Sequence, residues 1–122
     1  MSDPVFLPGG RDARGTLDTA PEGLPTPDAC VVACTPHPQH RGRRSDRRLR
    51  AVGDELTARG CDCLRFDYGP WDGGRGERRD ARNAVKWAGE RYDRVALFGY
   101  SFGGMVAVSA AADGPDVAAV AE

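Results

Sequence analysis

The stretch Val95–Met105, VALFGYSFGGM, runs a short apolar segment into a Gly-x-Ser-x-Gly-Gly turn and then into small and apolar residues. The segment 95–98 has the length and character of a covered β-strand, and the residues from Phe102 onward suit a helix. A serine at such a sharp strand-to-helix turn is lifted above the edge of a sheet. The stretch therefore predicts a strand, a tight turn and a helix, with Ser101 exposed at the turn.

The glycines around Ser101 are expected from the same geometry. A side chain at Gly99 or Gly103 would crowd the crossing of strand and helix, and Gly104 completes the pair at the start of the helix. That helix points its free N–H groups toward the turn, so the amide of Phe102 is a candidate donor to an oxyanion. A plain turn rich in small residues is the alternative, but the strand before it and the helix after it favour a nucleophile.

Two other glycine-rich sites do not fit this stretch. A phosphate-binding P-loop requires Lys followed by Ser or Thr after its last glycine, whereas Met105 follows Gly104 here. A dinucleotide-binding fold requires its glycines after the first strand, with an acidic residue about 20 residues further on. The pattern therefore indicates acyl transfer and not nucleotide binding.

The composition bounds the rest of the chain. Its 122 residues suit a single domain, and 40% hydrophobic with 29% charged residues is typical of a globular protein. No run approaches the roughly 20 apolar residues that span a bilayer, and the start MSDPVFLPGG lacks a signal-peptide pattern, so a cytoplasmic location is expected. Because the 4 cysteines lack CxxC spacing, we expect reduced thiols, with no metal site and no cofactor.

Strand-like and helix-like segments alternate along the chain. Short strands around 5–7 and 14–17, with Gly9-Gly10 between them, predict a hairpin within residues 1–29 at the edge of a sheet. The later segments are strand 30–34, a helix capped by Ser45 and closed by Gly60, a strand from Cys61, helix 77–92, strand 95–98, helix 102–112 and strand 117–121. This order predicts an α/β fold, a three-layer α/β/α domain over residues 1–122 with a mostly parallel sheet.

Three segments together resemble the α/β-hydrolase superfamily. They are CTPHPQHRG (34–42), CLRFDYGPWDGGRGE (63–77) and VALFGYSFGGMVAVSAAA (95–112). The resemblance is to small serine esterases and dienelactone-hydrolase-like proteins, it covers nearly the whole chain, and the segments stand in the superfamily's order. It implies hydrolysis of a small carboxylic ester or lactone through an acyl-enzyme, with Ser101 as nucleophile and Phe102 as one oxyanion N–H donor.

The same resemblance assigns the loop after the first central strand. In such enzymes this loop supplies the second oxyanion N–H, and since Pro38 has none, Gln39 or His40 is the candidate. Relatives often show two glycines near the end of this loop, where this chain has Arg41-Gly42. Asp67 matches an Arg-Phe-Asp segment common in the superfamily, and we interpret it as a carboxylate that organises a loop.

The partners of the serine are missing from the sequence. In the superfamily an acid and then a histidine follow the serine on loops after later strands. The 21 residues after Ser101 contain three acidic residues but no histidine. His37 or His40 could reach the serine as a base, although a histidine in that loop more often contributes to its shape. We therefore expect the N-terminal part of the fold, truncated after about the sixth strand and catalytically incomplete.

The charge pattern offers a second function. The net charge is −1, yet six arginines lie between Arg41 and Arg50. The alternative to an enzyme is a non-catalytic α/β module that binds an anion or a partner through this segment. Nucleic acid is not expected, because the cluster lacks interleaved aromatic residues and the chain is not basic. An unpaired edge at strand 117–121 would favour self-association.

Overall fold

The computed structural model describes residues 2–122 as a six-stranded sheet with helices on both faces. The strands are β1 (Ser2–Phe6), β2 (Arg14–Asp18), β3 (Ala29–Cys34), β4 (Asp62–Asp67), β5 (Arg94–Gly99) and β6 (Ala119–Ala121). The α-helices are α1 (Arg47–Ala58), α2 (Arg75–Gly89) and α3 (Phe102–Ala112), and a 3-10 turn covers Pro38–His40. The element order is the one that the sequence predicts.

The sheet is mostly parallel, as predicted. Its strand order is β1-β2-β4-β3-β5-β6. The strands β3, β4, β5 and β6 run parallel, whereas β1 and β2 pair antiparallel and β2 pairs antiparallel with β4. The N-terminal hairpin therefore forms one edge of the sheet, and β6 forms the other.

Alternate residues of each strand face opposite helical layers. Val32 of β3 belongs to the larger core, which includes buried residues of α2 and α3, whereas its neighbour Ala33 packs with Leu49 of α1. The largest fully buried side chain is Phe66, on the α2–α3 side. The three-layer α/β/α prediction is thus confirmed.

Several predicted boundaries are wrong by a few residues. Asp46, and not Ser45, caps α1, because its carboxylate accepts the free N–H groups of the first turn. The helix α2 starts at Arg75 instead of Glu77, since Gly74 takes φ 100° and its N–H donates to the Glu77 carboxylate. It ends at Gly89, short of the predicted end, and β6 begins two residues later than predicted.

The helix α3 is covered on one face only. Val106, Ala107 and Ala110 are buried against the sheet, whereas Met105 is 52% and Val108 is 47% exposed. The all-round apolar pattern of α3 would suit burial on every side. Among residues 2–122, nothing covers its outer face.

The carboxyl ends of the central strands meet at one edge of the sheet. Cys34 pairs with Phe66 of β4 on one side and with Gly99 of β5 on the other. The chain leaves β3 for β4 and then crosses to β5 on the opposite side of β3. The loops after β3 and β5 therefore diverge, which creates the crevice where open α/β sheets bind their ligands.

Candidate active site

Ser101 lies at the sharp junction between β5 and α3. Its backbone takes φ 58° and ψ −130°, and its side chain is exposed. A non-glycine residue in this region carries strain of about 1–3 kcal/mol, which the surrounding structure must hold. Within residues 2–122, only Asp12 and Arg41 are other non-glycine residues with positive φ.

The crossing of β5 and α3 leaves no room for side chains at two of the flanking glycines. A Cβ atom on Gly99 would lie 2.2 Å from the carbonyl oxygen of Gly103. A Cβ atom on Gly103 would lie 2.3 Å from the carbonyl oxygen of Cys34 in the neighbouring strand. At Gly104 the nearest backbone atom would be 3.1 Å away, a milder crowding. The crowding that the sequence predicts at 99 and 103 is therefore present.

The first amide of α3 is available at this turn. The carbonyl of Ser101 accepts the N–H groups of Gly104 and Met105, at 3.1 and 3.3 Å. The amide of Phe102 makes no backbone hydrogen bond with residues 2–122. Together with the positive end of the helix dipole, it can donate to a negative oxygen formed at Ser101.

The two candidates for a second donor are already engaged. The amide of Gln39 donates to Nδ1 of His37 at 3.1 Å, and the amide of His40 donates to the carbonyl of His37 at 3.0 Å. The bond of His40 belongs to the backbone of the 3-10 turn. The bond of Gln39 is released by rotating one side chain, so Gln39 is the better placed of the two.

The contact with the Gln39 amide selects one tautomer of the neutral His37 ring. Because Nδ1 accepts the Gln39 amide, the neutral ring carries its proton on Nε2. In this form Nε2 is a donor, and it accepts the proton of Ser101 only after the contact with Gln39 is broken. The contact holds the His37 ring against the backbone of the 3-10 turn.

Aromatic rings from two loops and from the first residue of α3 meet beside the turn. The ring of His37 lies 4.5 Å from that of His40, 4.5 Å from that of Trp71 and 4.7 Å from that of Phe102, between centroids. We call these four residues the aromatic cluster. Trp71 was not singled out from the sequence, although a tryptophan within a glycine-rich loop at a strand end was a usable signal. The cluster lies next to the turn because one of its members, Phe102, directly follows Ser101 in the chain.

Two buried carboxylates of α2 fix the loop that carries Trp71. Glu77, which is 0% exposed, accepts the amides of Asp72 and Gly74, at 2.8 and 2.7 Å. Asp80, also 0% exposed, accepts the amide of Gly69 at 2.9 Å. Amides at both ends of the loop are thereby held to the helix.

Arg11, in the hairpin, forms ion pairs with both of these carboxylates. Its Nε donates to Asp80 at 2.9 Å, and a terminal nitrogen lies 3.4 Å from Glu77. The hydrogen bond with Asp80 raises the pKa of Arg11, against the opposing effect of burial. The hairpin, α2 and the Trp71 loop are therefore joined by one charged network.

A hydrogen bond on the α1 side of the sheet also holds the turn. The hydroxyl of Tyr100 donates to the Asp46 carboxylate at 2.7 Å, and the Arg48 guanidinium lies 5.1 Å from the centre of the Tyr100 ring. Burial, together with the charged acceptor, raises the pKa of Tyr100 to about 12. The pKa of Asp46 is lowered overall. Burial alone would raise it, but the hydrogen bonds from Tyr100 and the α1 amides have the larger, opposite effect.

Asp67 holds the segment that precedes α1. Its carboxylate accepts the backbone amide of Arg44 at 2.6 Å and also the guanidinium of the same residue. This arrangement is the one expected of a carboxylate that organises a loop.

The cysteines are free thiols. Cys30, Cys34 and Cys63 are buried and Cys61 is half-buried. Burial raises the pKa of the Cys34 and Cys63 thiols to about 12, so these groups are poor nucleophiles at neutral pH. In residues 2–122, no group of three or more His, Cys, Asp or Glu side chains is arranged to hold a metal ion. No helix in the same range has the length and apolarity of a membrane span.

The similar structures are α/β serine hydrolases and related proteins. A lid-less α/β serine hydrolase from Xanthomonas campestris is 23% identical, with a TM-score of 0.85 over 98% of this chain and 60% of its own. A serine hydrolase homologue from Coxiella burnetii is 23% identical, with a TM-score of 0.79 over 99% and 61%. A dienelactone hydrolase from Anabaena variabilis is 22% identical, with a TM-score of 0.74 over 99% and 62%. No protein-family model and no curated protein matches the chain.

These likenesses establish the fold. The chain has the fold of the α/β-hydrolase superfamily over the N-terminal part of that fold. It spans about 60% of the length of the first of these structures.

Proposed function

We propose that this chain carries the nucleophile and part of the oxyanion site of a serine hydrolase that cleaves small carboxylic esters or lactones. The observation that carries the proposal is the strained backbone of exposed Ser101, at φ 58° and ψ −130° between β5 and α3. A serine that only closed a turn would not need so costly a conformation, whereas a nucleophile must stand clear of the sheet. The names of the similar structures, serine hydrolases and a dienelactone hydrolase, support this reaction class.

In the proposed reaction, Oγ of Ser101 attacks the carbonyl carbon while a base takes its proton. The negative oxygen of the tetrahedral intermediate receives the N–H of Phe102, at the positive end of α3. The intermediate collapses when the leaving oxygen is protonated, and the acyl-serine remains. Water then releases the acid by the same steps in the opposite sense.

We further propose that the chain by itself is catalytically incomplete. Within residues 2–122 the nearest imidazole to the turn is on the loop after β3, and its Nδ1 is engaged with Gln39. No histidine follows Ser101 in the sequence. Without a base, the oxyanion donor and binding alone leave a rate of about 10³ over water in a serine enzyme.

A fluorophosphonate probe tests the proposal on the chain as it stands. We expect slow labelling of Ser101 that added imidazole accelerates, because imidazole supplies the missing base. Ser101→Ala should abolish labelling, and Ser109→Ala, about two turns further along α3, should leave it unchanged. If mass spectrometry finds no adduct on Ser101 even with imidazole, the hydrolase proposal is wrong.

A further inference from the structure

A cleft of about 500 Å³ lies on the side of the sheet that α1 covers, and none of its lining residues belongs to the Ser101 turn. The segment before α1, the first turn of α1 and the strand β4 contribute four arginines to its lining: Arg43, Arg44, Arg50 and Arg65. A single acid, Asp67, lines it with them. So many like charges around one cleft are unfavourable unless acidic groups or a bound anion compensate them.

Two of the four arginines have acidic partners. Arg65 is nearly buried and donates to both oxygens of Asp18, with Nε at 2.7 Å and a terminal nitrogen at 3.0 Å. Arg44 pairs with Asp67. These pairs fix the positions of two guanidinium groups, and each pair cancels one positive charge.

The other two arginines of the cleft have no acidic partner among the described residues. Arg43 and Arg50 are exposed, and within residues 2–122 neither forms an ion pair with an acidic side chain. The hydroxyl of Thr16 accepts from Arg44 and keeps its own proton to donate. The hydroxyl of Ser45 also lines the cleft. The cleft thus combines two uncompensated positive charges with hydroxyl donors.

We propose that this cleft binds a phosphate group, either free or carried by a small monoester. A phosphate dianion would balance the charges of Arg43 and Arg50, whose planar guanidinium groups suit its oxygens. The volume of the cleft accommodates a small monoester as well as the free ion. This site lies on other residues than the serine turn, and it stands whether or not the chain is a hydrolase.

A nucleic acid fits these observations less well. Arg41 and Arg47 belong to the same stretch of sequence but do not line the cleft. The net charge of the chain is −1, and the lining includes no aromatic residue on which a base could stack. The positive charge is therefore concentrated in one concave place instead of spreading along a surface.

Titration of the full chain with inorganic phosphate and, separately, with glycerol 3-phosphate tests the site. Chemical shifts of backbone amides report the binding at low ionic strength. We expect saturable shifts near Thr16, Ser45 and Arg50, and a dissociation constant at least about tenfold weaker in Arg43→Ala/Arg50→Ala. The matched control, Arg47→Ala/Arg79→Ala, removes the same charge at exposed positions outside the cleft and should change it less than about twofold.

The two ligands distinguish the sources of the phosphate group. Tighter binding of glycerol 3-phosphate supports a monoester, and equal binding supports the free ion. The proposal is wrong if neither ligand saturates the protein, or if both double variants weaken binding equally. It is also wrong if a labelled single-stranded oligonucleotide binds more tightly than either ligand and the control pair weakens that binding as much as the cleft pair.

Discussion

The hydroxyl of Tyr100 donates to the carboxylate of Asp46 at 2.7 Å and so joins the residue before Ser101 to the first turn of α1. The same carboxylate accepts the amides of Arg48 and Leu49. The Asp46 side chain therefore caps α1 and also holds the turn that carries Ser101. The turn is stabilised by contacts on both sides of the sheet, with α1 on one side and the crossing of α3 on the other.

Replacing Tyr100 by Phe should remove the hydrogen bond to Asp46 and leave the other contacts of the ring in place. The ring and its contact with Arg48 remain, so we expect a loss of about 1 kcal/mol in the free energy of unfolding. Urea denaturation measures the change. Tyr92→Phe removes the other tyrosine hydroxyl that donates to an aspartate, Asp62, and serves as a comparison far from the turn. Unchanged stability in Tyr100→Phe would show that the bond contributes nothing.

The effect of Tyr100→Phe should depend on pH in the acid range. The pKa of Asp46 is lowered below its ordinary value of 3.8 in the folded protein. Its contribution is therefore fully present above the pKa of the unfolded chain and is lost as the pH falls through the folded pKa. We expect the free energy of unfolding of the wild type to exceed that of Tyr100→Phe by a constant amount from pH 6 to 8. Below about pH 4 this difference should become smaller. If the difference in the free energy of unfolding stays the same in acid, the stabilising effect of the Tyr100 hydroxyl does not depend on the Asp46 carboxylate.

The crossing of strand and helix predicts that Gly103 cannot be replaced. In Gly103→Ala the new methyl group would meet the carbonyl oxygens of Cys34 and Thr35, at 2.3 and 2.7 Å. Because both are backbone atoms, we expect a loss of about 3 kcal/mol or more. Gly89→Ala is the matched control: it lies at the end of α2 with nothing within 4 Å, and it should be neutral or stabilising by up to about 1 kcal/mol. Equal effects of the two substitutions would contradict the close crossing.

The strain at Ser101 predicts an unusual gain from glycine. Ser101→Gly relieves a conformation that costs about 1–3 kcal/mol, and the greater freedom of glycine in the unfolded chain offsets only part of this. We expect the free energy of unfolding of Ser101→Gly to exceed that of Ser101→Ala by about 1 kcal/mol. The glycine variant should therefore unfold at a higher urea concentration. Since both variants lack the hydroxyl, the comparison isolates the backbone. A less stable glycine variant would remove the evidence for strain.

The sequence was informative where local pattern and packing agree. The apolar run before Ser101 and the small residues after it predicted β5 and the helix 102–112, because a covered strand, a glycine-flanked turn and a buried helix face each leave a direct compositional mark. The alternation of elements then predicted the parallel sheet. The boundary of α1 was missed by one residue because Ser45 and Asp46 are both good capping residues.

The supports of the site could not be predicted in the same way. Glu77 and Asp80 were not recognised as buried, because charged residues at the start of a helix usually face solvent. Their partner Arg11 lies 66 and 69 residues away in the chain. The contact between Gln39 and the His37 ring likewise depends on a side-chain orientation that the sequence does not specify. Such contacts belong to the tertiary arrangement.

The buried carboxylate of Glu77 gives the last prediction. In Glu77→Gln one acceptor oxygen becomes an amide donor facing the backbone N–H groups of Asp72 or Gly74, so that at least one hydrogen bond is lost. We expect a loss of about 1–3 kcal/mol and a looser loop around Trp71. Glu90→Gln, at an exposed residue beyond the end of α2, is the control and should be close to neutral.

Acrylamide quenching of tryptophan fluorescence measures the loosening of that loop. Because Trp87 also fluoresces, the comparison is made in a Trp87→Phe background, where Trp71 is the remaining tryptophan. Trp71 is 39% exposed and rests against His37, so a freed loop should increase its quenching constant. If Glu77→Gln lowers stability but leaves quenching unchanged, the carboxylate stabilises α2 without holding the loop, and the aromatic cluster owes its position to ring packing alone.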